Sequence, residues 1–384
     1  MTEQPLHDGP GTSTQRPRGW QHSGINQRVT SRYRRLCSAD RAQGVDLARG
    51  IALVGMLAAH LLVIPALHWG EPASWVAVVQ GRSSILFATL AGVSLGLFTG
   101  GTQPIPGSST VLRRTRLQIA IRALFIWAIG IAMSALGLPV YIILPAYAIL
   151  FLLAIPLLTA TRFLLTGTVS VVVVITPVMY VWINAAPWWD GNAGAAVSVL
   201  VGWPYPFLVW IAFIVSGLVI ARCGVTQLHV QVAAVGIGTL LAGLGYGLAA
   251  SLTRTRIPNA DSIWADALSA QPHSGGILEV VGSGGVAVAV IGLCGLITRT
   301  RAAAILLPLR AVGSMPLTAY VLQLVVWFLV AHSILDNPHD LTAFRTLQPF
   351  WPMTVGIITA CTAWALLIGR GPLEQALTRL QPSP

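Results

Sequence analysis

The 384-residue chain is 55% hydrophobic and only 9% charged, with a mean hydropathy of +0.73. A soluble globular domain carries about 25% charged residues, so the composition excludes an ordinary water-soluble protein and favours the bilayer as solvent. The formal net charge is +11, and all 23 basic residues are arginine. They lie in short stretches between apolar runs, as topology signals do, so we expect no nucleic-acid partner.

Residues 1–43 are polar and rich in arginine. This composition predicts a disordered, Arg-rich cytoplasmic tail. The first apolar run after it is too long for the core of a signal peptide, so we expect no cleavable signal. The four cysteines show no CxxC or Cys/His spacing and predict neither a disulfide framework nor a metal site.

Ten apolar runs follow within residues 44–380, most of them close to the 17–25 residues that span about 30 Å of hydrocarbon as a helix. They are 47–67, 83–100, 117–136, 140–159, 163–184, 205–221, 229–251, 277–298, 303–331 and 350–369. The overlong run 303–331 contains Pro308 and Pro316, which fits a re-entrant piece followed by a helix. We predict a single all-α polytopic membrane domain over 44–380, with about ten transmembrane helices (range 9–11).

The loop charges predict the orientation. Most arginines lie in the tail, the even-numbered loops and the C-terminal end, whereas the odd-numbered loops hold most of the acidic residues. By the positive-inside rule both termini are cytoplasmic. Tryptophans at the predicted outer boundaries, such as Trp69 and Trp203, fit an interfacial belt. We therefore expect a multi-pass protein of the cytoplasmic membrane whose partner is the lipid bilayer.

The stretch GVDLARGIALVGMLAAHLL, residues 44–62, places charge at the entry of the first span. Asp46 and Arg49 are three residues apart and share one helix face. They form either an ion pair that orients the helix or a polar entrance for an anionic, phosphate-bearing donor. In the second reading, Arg113, Arg114 and Arg116 of the next cytoplasmic loop also bind the phosphates.

Histidines lie near the opposite end of this span. His60 follows Asp46 by 14 residues, about 21 Å along a helix. Ionisable groups inside a span usually face a cavity, so His60 is either a general base or a packing residue hydrogen-bonded to a neighbouring backbone. His68 lies further out, with Glu71 close enough in sequence to orient it.

Further polar residues are expected at the outer face. The stretch QPHSGGILEVVGSGG contains His273 and Glu279, which are candidates to orient the base or bind an acceptor. Arg82, at the start of the second span, is either an interfacial anchor or a contact for an anion or oxyanion. The GSGG element fits close helix packing better than phosphate binding, because no strand precedes it.

Several segments resemble the YeiB-type branch of the heparan-α-glucosaminide N-acetyltransferase-like transmembrane acyltransferases. The stretch 44–62 is similar to their opening helix, with its Asp-x-x-Arg-Gly entry, and GRSSILFATLAGVSLGL (81–97) to their second helix. Three later stretches resemble the C-terminal domain of that branch, namely 272–294, 311–323 and 370–380.

The resemblance implies an acetyl-CoA-dependent enzyme that moves an acyl group across a membrane onto a sugar amine or hydroxyl. In the lysosomal enzyme of this family, an Asn and a His near the luminal end of the first helix serve catalysis. An ungapped match places His60 at the Asn position. The catalytic His falls about three residues from His68, so that match needs a gap.

We therefore expect acyl transfer from cytoplasmic acyl-CoA, without a metal, to an extracytoplasmic sugar or cell-envelope acceptor. His60 or His68 is the expected base, and Arg82 or a backbone amide stabilises the oxyanion. Direct transfer and an acyl-histidine intermediate both fit. The alternatives are a non-catalytic transporter or flippase of a small molecule, lipid or glycan precursor, and an interaction protein. A homodimer is compatible with the sequence.

Overall fold

The computed structural model describes residues 22–38, 41–68, 70–107, 109–254 and 263–381. The predicted belt residue Trp69 lies outside these ranges. The protein is 77% helix, and the described ranges contain no strand. This confirms the predicted all-α class.

The α-helices are introduced here in chain order. They are α1 (His22–Leu36), α2 (Gln43–Leu61), α3 (Arg82–Phe98), α4 (Thr110–Ser134), α5 (Leu144–Ala154), α6 (Arg162–Asn184), α7 (Asn192–Val201), α8 (Phe207–Cys223), α9 (Leu228–Arg254), α10 (Ile263–Ala267), α11 (Ile277–Ile297), α12 (Ala302–Ile305), α13 (Leu307–Ser314), α14 (Pro316–Ile334), α15 (Leu341–Thr346), α16 (Phe350–Leu367) and α17 (Pro372–Leu380). Short 3-10 helices occupy Pro72–Val79, Ile155–Leu157 and Pro187–Asp190.

Within the described ranges, seven helices are long and apolar enough to cross a membrane: α2, α4, α6, α9, α11, α14 and α16. The 3-10 helix Pro72–Val79 together with α3, bent by 41° at their junction, is an eighth candidate, either a broken span or a re-entrant loop. The remaining two predicted runs form the shorter apolar helices Leu144–Leu157 and α8. Each predicted run is therefore helical, and the expected number of spans is roughly that of the structure.

The overlong run 303–331 is broken into α12, α13 and α14. Pro308 and Pro316 lie in the first turns of α13 and α14, where a proline removes no intrahelical hydrogen bond. α13 packs directly on α2. A Cβ at Gly313 would collide with the carbonyl of Asp46, and one at Gly50 with the carbonyl of Leu309. Backbone contact therefore fixes the first half of α2.

The segment that we predicted as a disordered tail contains α1 in its described part, while residues 1–21 lie outside the description. α1 packs against α16, and Leu36 at its end is buried. The carbonyl oxygen of Leu36 accepts a hydrogen bond from the buried Arg310 of α13. This hydrogen bond holds the end of α1 on the bundle. It also gives Nη2 of the buried Arg310 guanidinium an acceptor, which it would otherwise lack there.

Helices α2, α3, α8 and α11 form the centre of the bundle. α9 and α11 lie in close contact through glycines, since a Cβ at Gly285 would meet the backbone of Ala242. This supports helix packing as the role of GSGG. α4, α6 and α9 carry exposed apolar residues, including Leu124, Val171 and Leu240, and these faces fit contact with lipid.

Candidate active site

A cavity of about 380 Å³ lies among α2, α3, α4, α5, α14 and α17. Its charged lining consists of Arg41, Arg49, Arg122, Arg370 and Glu374. On α3 the lining runs from Ser94 through Leu90 to Phe87, and the aromatic residues Tyr147 and Tyr320 lie beside it. We call this space the arginine cavity.

The predicted pair Asp46 and Arg49 is present at this cavity. Arg49 Nη1 donates to Asp46 Oδ1 at 3.0 Å, and Arg41 pairs with the other carboxylate oxygen. Arg49 Nη2 also donates to Ser94 Oγ at 2.5 Å. Asp46 is buried, so it orients two arginines while Arg49 still lines the cavity. The ion pair is therefore present, and its arginine also faces the cavity.

Glu374 forms no ion pair with the cavity arginines among the described residues. Its carboxylate accepts from the backbone N–H groups of Leu317 and Thr318, at 2.8 and 3.2 Å, and from the hydroxyl of Thr318 at 2.5 Å. These donors belong to the first turn of α14, which favours a negative charge. Arg122 and Arg370 form no ion pair with any described residue. The cavity is consequently cationic.

The structure does not place the predicted loop arginines in this cavity. Arg113, Arg114 and Arg116 are exposed on the first two turns of α4 and do not line it. Arg122, two turns further along the same helix, does line it. The sequence signal for Arg122 is a lone charge inside an apolar run.

His60 lies in the last turn of α2, at some distance from the arginine cavity. Its backbone carbonyl accepts two hydrogen bonds from Arg345 of α15, at 2.9 and 2.7 Å. Its ring centroid is 6.3 Å from that of the buried Trp327. The imidazole makes no hydrogen bond to the described part of the chain, and its ionisable neighbours are His273 and Arg345. We call His60, His273 and Arg345 the histidine cluster.

The loop before α11 holds His273 in the cluster. Glu279 is buried and accepts from the N–H groups of His273 and Gly275, at 2.6 and 2.7 Å, and from the Ser274 hydroxyl at 3.2 Å. His273 has a φ of 67°, which is uncommon outside glycine. Although the residue keeps exposed surface, the protein around its imidazole lowers the pKa of His273 by desolvation. Glu279 thus acts on the backbone of His273.

Two other predicted residues lie apart from the imidazole of His60. Arg82 Nε donates to the Tyr246 hydroxyl at 2.8 Å, and its guanidinium stacks 4.7 Å from that ring. His68 is exposed, and its Nδ1 lies 3.0 Å from the Ala66 carbonyl. No hydrogen bond or ring contact joins His68 to His60 among the described residues.

A buried face of α14 connects the two sites. Tyr320, Gln323 and Trp327 share this face and are at most 5% exposed. Tyr320 lines the arginine cavity and Trp327 contacts His60, about 10 Å apart along the helix. Tyr205, which lies near Tyr320, has its ring centroid 6.1 Å from that of His273. The described residues contain no group of three or more side chains that could hold a metal ion.

Residues 41–246, more than half of the chain, match the family described as "Heparan-alpha-glucosaminide N-acetyltransferase, catalytic". The chain belongs to this family. Residues 237–381 match a second family, described as "Protein of unknown function (DUF418)". No curated protein and no solved structure matches the chain.

The two matches agree with the predicted YeiB-type branch of the heparan-α-glucosaminide N-acetyltransferase-like superfamily. The protein is a multi-pass membrane protein of an acetyltransferase-like family. Arg49 and His60 lie in the first matched region, whereas His273, Arg345 and Arg370 lie in the second. Both the arginine cavity and the histidine cluster are therefore built jointly by the two regions.

Proposed function

We propose that the protein transfers an acyl group from acyl-CoA in the arginine cavity to a hydroxyl or amine acceptor at the histidine cluster. The observation that carries this proposal is the arrangement of α2. Arg49 lines a cationic cavity, and eleven residues later, about 16 Å along the helix, His60 presents an imidazole without a hydrogen-bond partner among the described residues. The cavity would open to the cytoplasm and the cluster to the outer side.

The donor site follows from charge. Arg41, Arg49, Arg122 and Arg370 would bind phosphate oxygens of CoA through charge-assisted hydrogen bonds. The less polar thiol arm would lie along Phe87, Tyr147 and Tyr320, which line the rest of the cavity.

The chemistry belongs to the histidine cluster. His60 takes the proton of the acceptor as its oxygen or nitrogen attacks the thioester carbonyl. The carbon–sulfur bond then breaks, and the CoA thiolate recovers that proton. Arg345 uses Nε and Nη2 on the His60 carbonyl, so Nη1 is available to the developing oxyanion. An acyl-His60 intermediate satisfies the same arrangement.

The transfer requires a rearrangement between the sites. Gln323 and Trp327 are buried on the face of α14 that leads from Tyr320 at the arginine cavity towards His60, and we infer that they separate the two sites. The thioester therefore reaches the imidazole only when these side chains move, which keeps the donor site sealed from the acceptor side between turnovers.

Transport without chemistry is the rival function, and the acidic residues count against it. Coupled transporters place ion-binding groups near the midplane. In the described spans the acidic residues are Asp46 and Glu279. Asp46 is paired with two arginines, and Glu279 holds the His273 loop. Neither is free to bind a coupling ion.

The test combines donor binding with turnover. Calorimetry with acetyl-CoA in detergent should show binding by the wild type, loss of binding in Arg49→Ala and retained binding in His60→Ala. Transfer to a sugar-amine acceptor should be lost in His60→Ala and kept in the control His68→Ala. Full activity of His60→Ala would remove its role as base. Failure of the wild type to bind acetyl-, succinyl- or longer acyl-CoA would contradict the whole proposal.

A further inference from the structure

A second cavity, of about 460 Å³, lies between α1 and the ends of α13, α16 and α17. Its charged residues are Arg32, Arg35, Arg41 and Arg370, and no acidic residue of the described ranges lines it. We call it the α1 pocket. It shares Arg41, Arg370 and Ser314 with the arginine cavity, so the two spaces adjoin.

The positive charge in the α1 pocket is largely unpaired. Arg32 Nη1 is buried and has no hydrogen-bond partner in the described part of the chain. The side chains of Arg35 and Arg370 also make no hydrogen bond or ion pair within the described ranges, whereas Arg41 is held by Asp46. A buried guanidinium N–H without an acceptor is costly, so this pocket favours a bound anion.

The walls of the pocket are held by specific contacts. Arg310 binds the carbonyl at the end of α1, and Gln43 Nε2 donates to the carbonyls of Cys37 and Ser38 at 3.0 Å each. Gly369 has a φ of 111°, and Arg32 Nε lies 3.7 Å from the position that a Cβ would occupy there. These contacts hold the end of α1 against the bundle beside the pocket.

We propose that the α1 pocket binds the phosphorylated nucleotide end of the acyl donor, including its 3′-phosphate, while the arginine cavity holds the thiol arm. The inference rests on the proposed function. It extends that function by specifying CoA, and not a protein-bound phosphopantetheine, as the carrier of the acyl group. The shared residues Arg41 and Arg370, together with Arg49 and Arg122 of the arginine cavity, would bind the pyrophosphate where the two spaces meet. Arg32 and Arg35 would bind the 3′-phosphate, which a protein-bound phosphopantetheine lacks.

An anionic lipid headgroup offers the same phosphate chemistry, so the test separates the two sources. The full chain is placed in phosphatidylcholine nanodiscs, and the binding of CoA and 3′-dephospho-CoA is measured by calorimetry. The wild type should bind CoA about tenfold or more tightly than 3′-dephospho-CoA. Arg32→Gln and Arg35→Gln should bring this ratio towards one. Arg34→Gln is the matched control, because Arg34 is exposed on α1 and does not line the pocket.

Each contrary outcome has a distinct meaning. An unchanged ratio in Arg32→Gln and Arg35→Gln, with CoA still bound, overturns the nucleotide site and leaves the proposed function intact. A second contrary result is that native mass spectra show these variants losing co-purifying phosphatidylglycerol while the affinity ratio is unchanged. That result assigns the pocket to lipid and also overturns the nucleotide site. A wild type that binds no CoA contradicts the proposed function itself. Size-exclusion profiles, together with Arg32→Lys, which should keep part of the preference, confirm that the variants fold.

Discussion

Arg345 donates two hydrogen bonds to the backbone carbonyl oxygen of His60, although the two residues are 285 positions apart in the chain. The last carbonyls of a helix have no intrahelical donors, and a positive charge there is favourable. Arg345 therefore completes the end of α2, and a short helix from the second matched region determines where His60 lies.

Replacing Arg345 should reduce turnover more than donor binding. We expect Arg345→Gln to lower kcat by about tenfold, since hydrogen bonds from charged groups contribute about 1.5–3 kcal/mol, while the affinity for acetyl-CoA stays unchanged. Arg345→Lys should recover part of the loss. Steady-state kinetics together with calorimetry measure both quantities, and a weaker donor affinity in Arg345→Gln would contradict this assignment.

The lowered pKa of His273 predicts a loss of stability in acid. An unfolded histidine has a pKa of about 6.5, and the folded value is lower, so below about pH 6.5 the unfolded state binds more protons. This contribution to the free energy of unfolding is complete above about pH 6.5 and declines as the pH falls.

We expect His273→Asn to flatten that decline, because asparagine tolerates the φ of 67° at this position. Thermal midpoints in detergent between about pH 7 and about pH 5 measure the effect. His60 shares the cluster, so His60→Asn is measured in parallel. Equal declines in wild type and His273→Asn would show that His273 does not contribute.

Glu279 should matter for stability and for the placement of His273. Glu279→Gln keeps the shape of the side chain but replaces one acceptor oxygen with an NH2 group. At least one of the hydrogen bonds from the His273 N–H, the Gly275 N–H and the Ser274 hydroxyl is then lost or weakened. We expect a loss of about 1–3 kcal/mol in the free energy of unfolding. The exposed Glu71 provides the control, and equal effects of Glu71→Gln and Glu279→Gln would argue against the loop-holding role.

The ten apolar runs could be predicted because membrane-crossing length and composition are local properties of the sequence. The docking of α1 could not, since it depends on a contact between Arg310 and the Leu36 carbonyl, 274 residues away. The break between α13 and α14 was indicated by Pro316, but the position of α13 depends on backbone contact with Gly50, which no local pattern encodes.

Donor binding should separate the arginines of α4. Arg122→Gln is expected to weaken CoA binding by about tenfold, because a charge-assisted hydrogen bond in a partly buried cavity is lost. Arg113→Gln and Arg114→Gln, which change exposed residues, should alter it by less than about twofold. Calorimetry in detergent at fixed salt measures the affinity of all three variants for CoA. Larger losses in Arg113→Gln and Arg114→Gln than in Arg122→Gln would indicate that the loop arginines bind the phosphates.

The candidate site was only partly predictable for a similar reason. Arg49 and His60 were indicated because ionisable residues inside an apolar run are costly and usually face a cavity. Arg122 carries the same signal. Arg345 lies in a polar loop, and its partner is a backbone carbonyl. Such a contact leaves no mark in the sequence around either residue.

Arg222 should prove a structural residue. It is buried in α8 and has no carboxylate partner among the described residues. Instead it donates to the Thr99 hydroxyl and to the carbonyls of Gly96, Gly101, Leu158 and Ala160. A lysine has only three donors, so we expect Arg222→Lys to cost about 2–4 kcal/mol in the free energy of unfolding. The matched control is the exposed Arg116→Lys, and equal thermal midpoints would contradict the prediction.

The unequal lengths of the spans have a consequence for the membrane itself. α2 has 19 residues and α9 has 27, about 28 and about 40 Å respectively, against a hydrocarbon layer of about 30 Å. α9 faces lipid on one side and is in close contact with α11 on the other. It would therefore cross with its ends in the headgroup regions or with a tilt, and α11, whose first turn carries Glu279, would share that tilt. Membranes of different thickness should therefore change the tilt of α9 and α11 together.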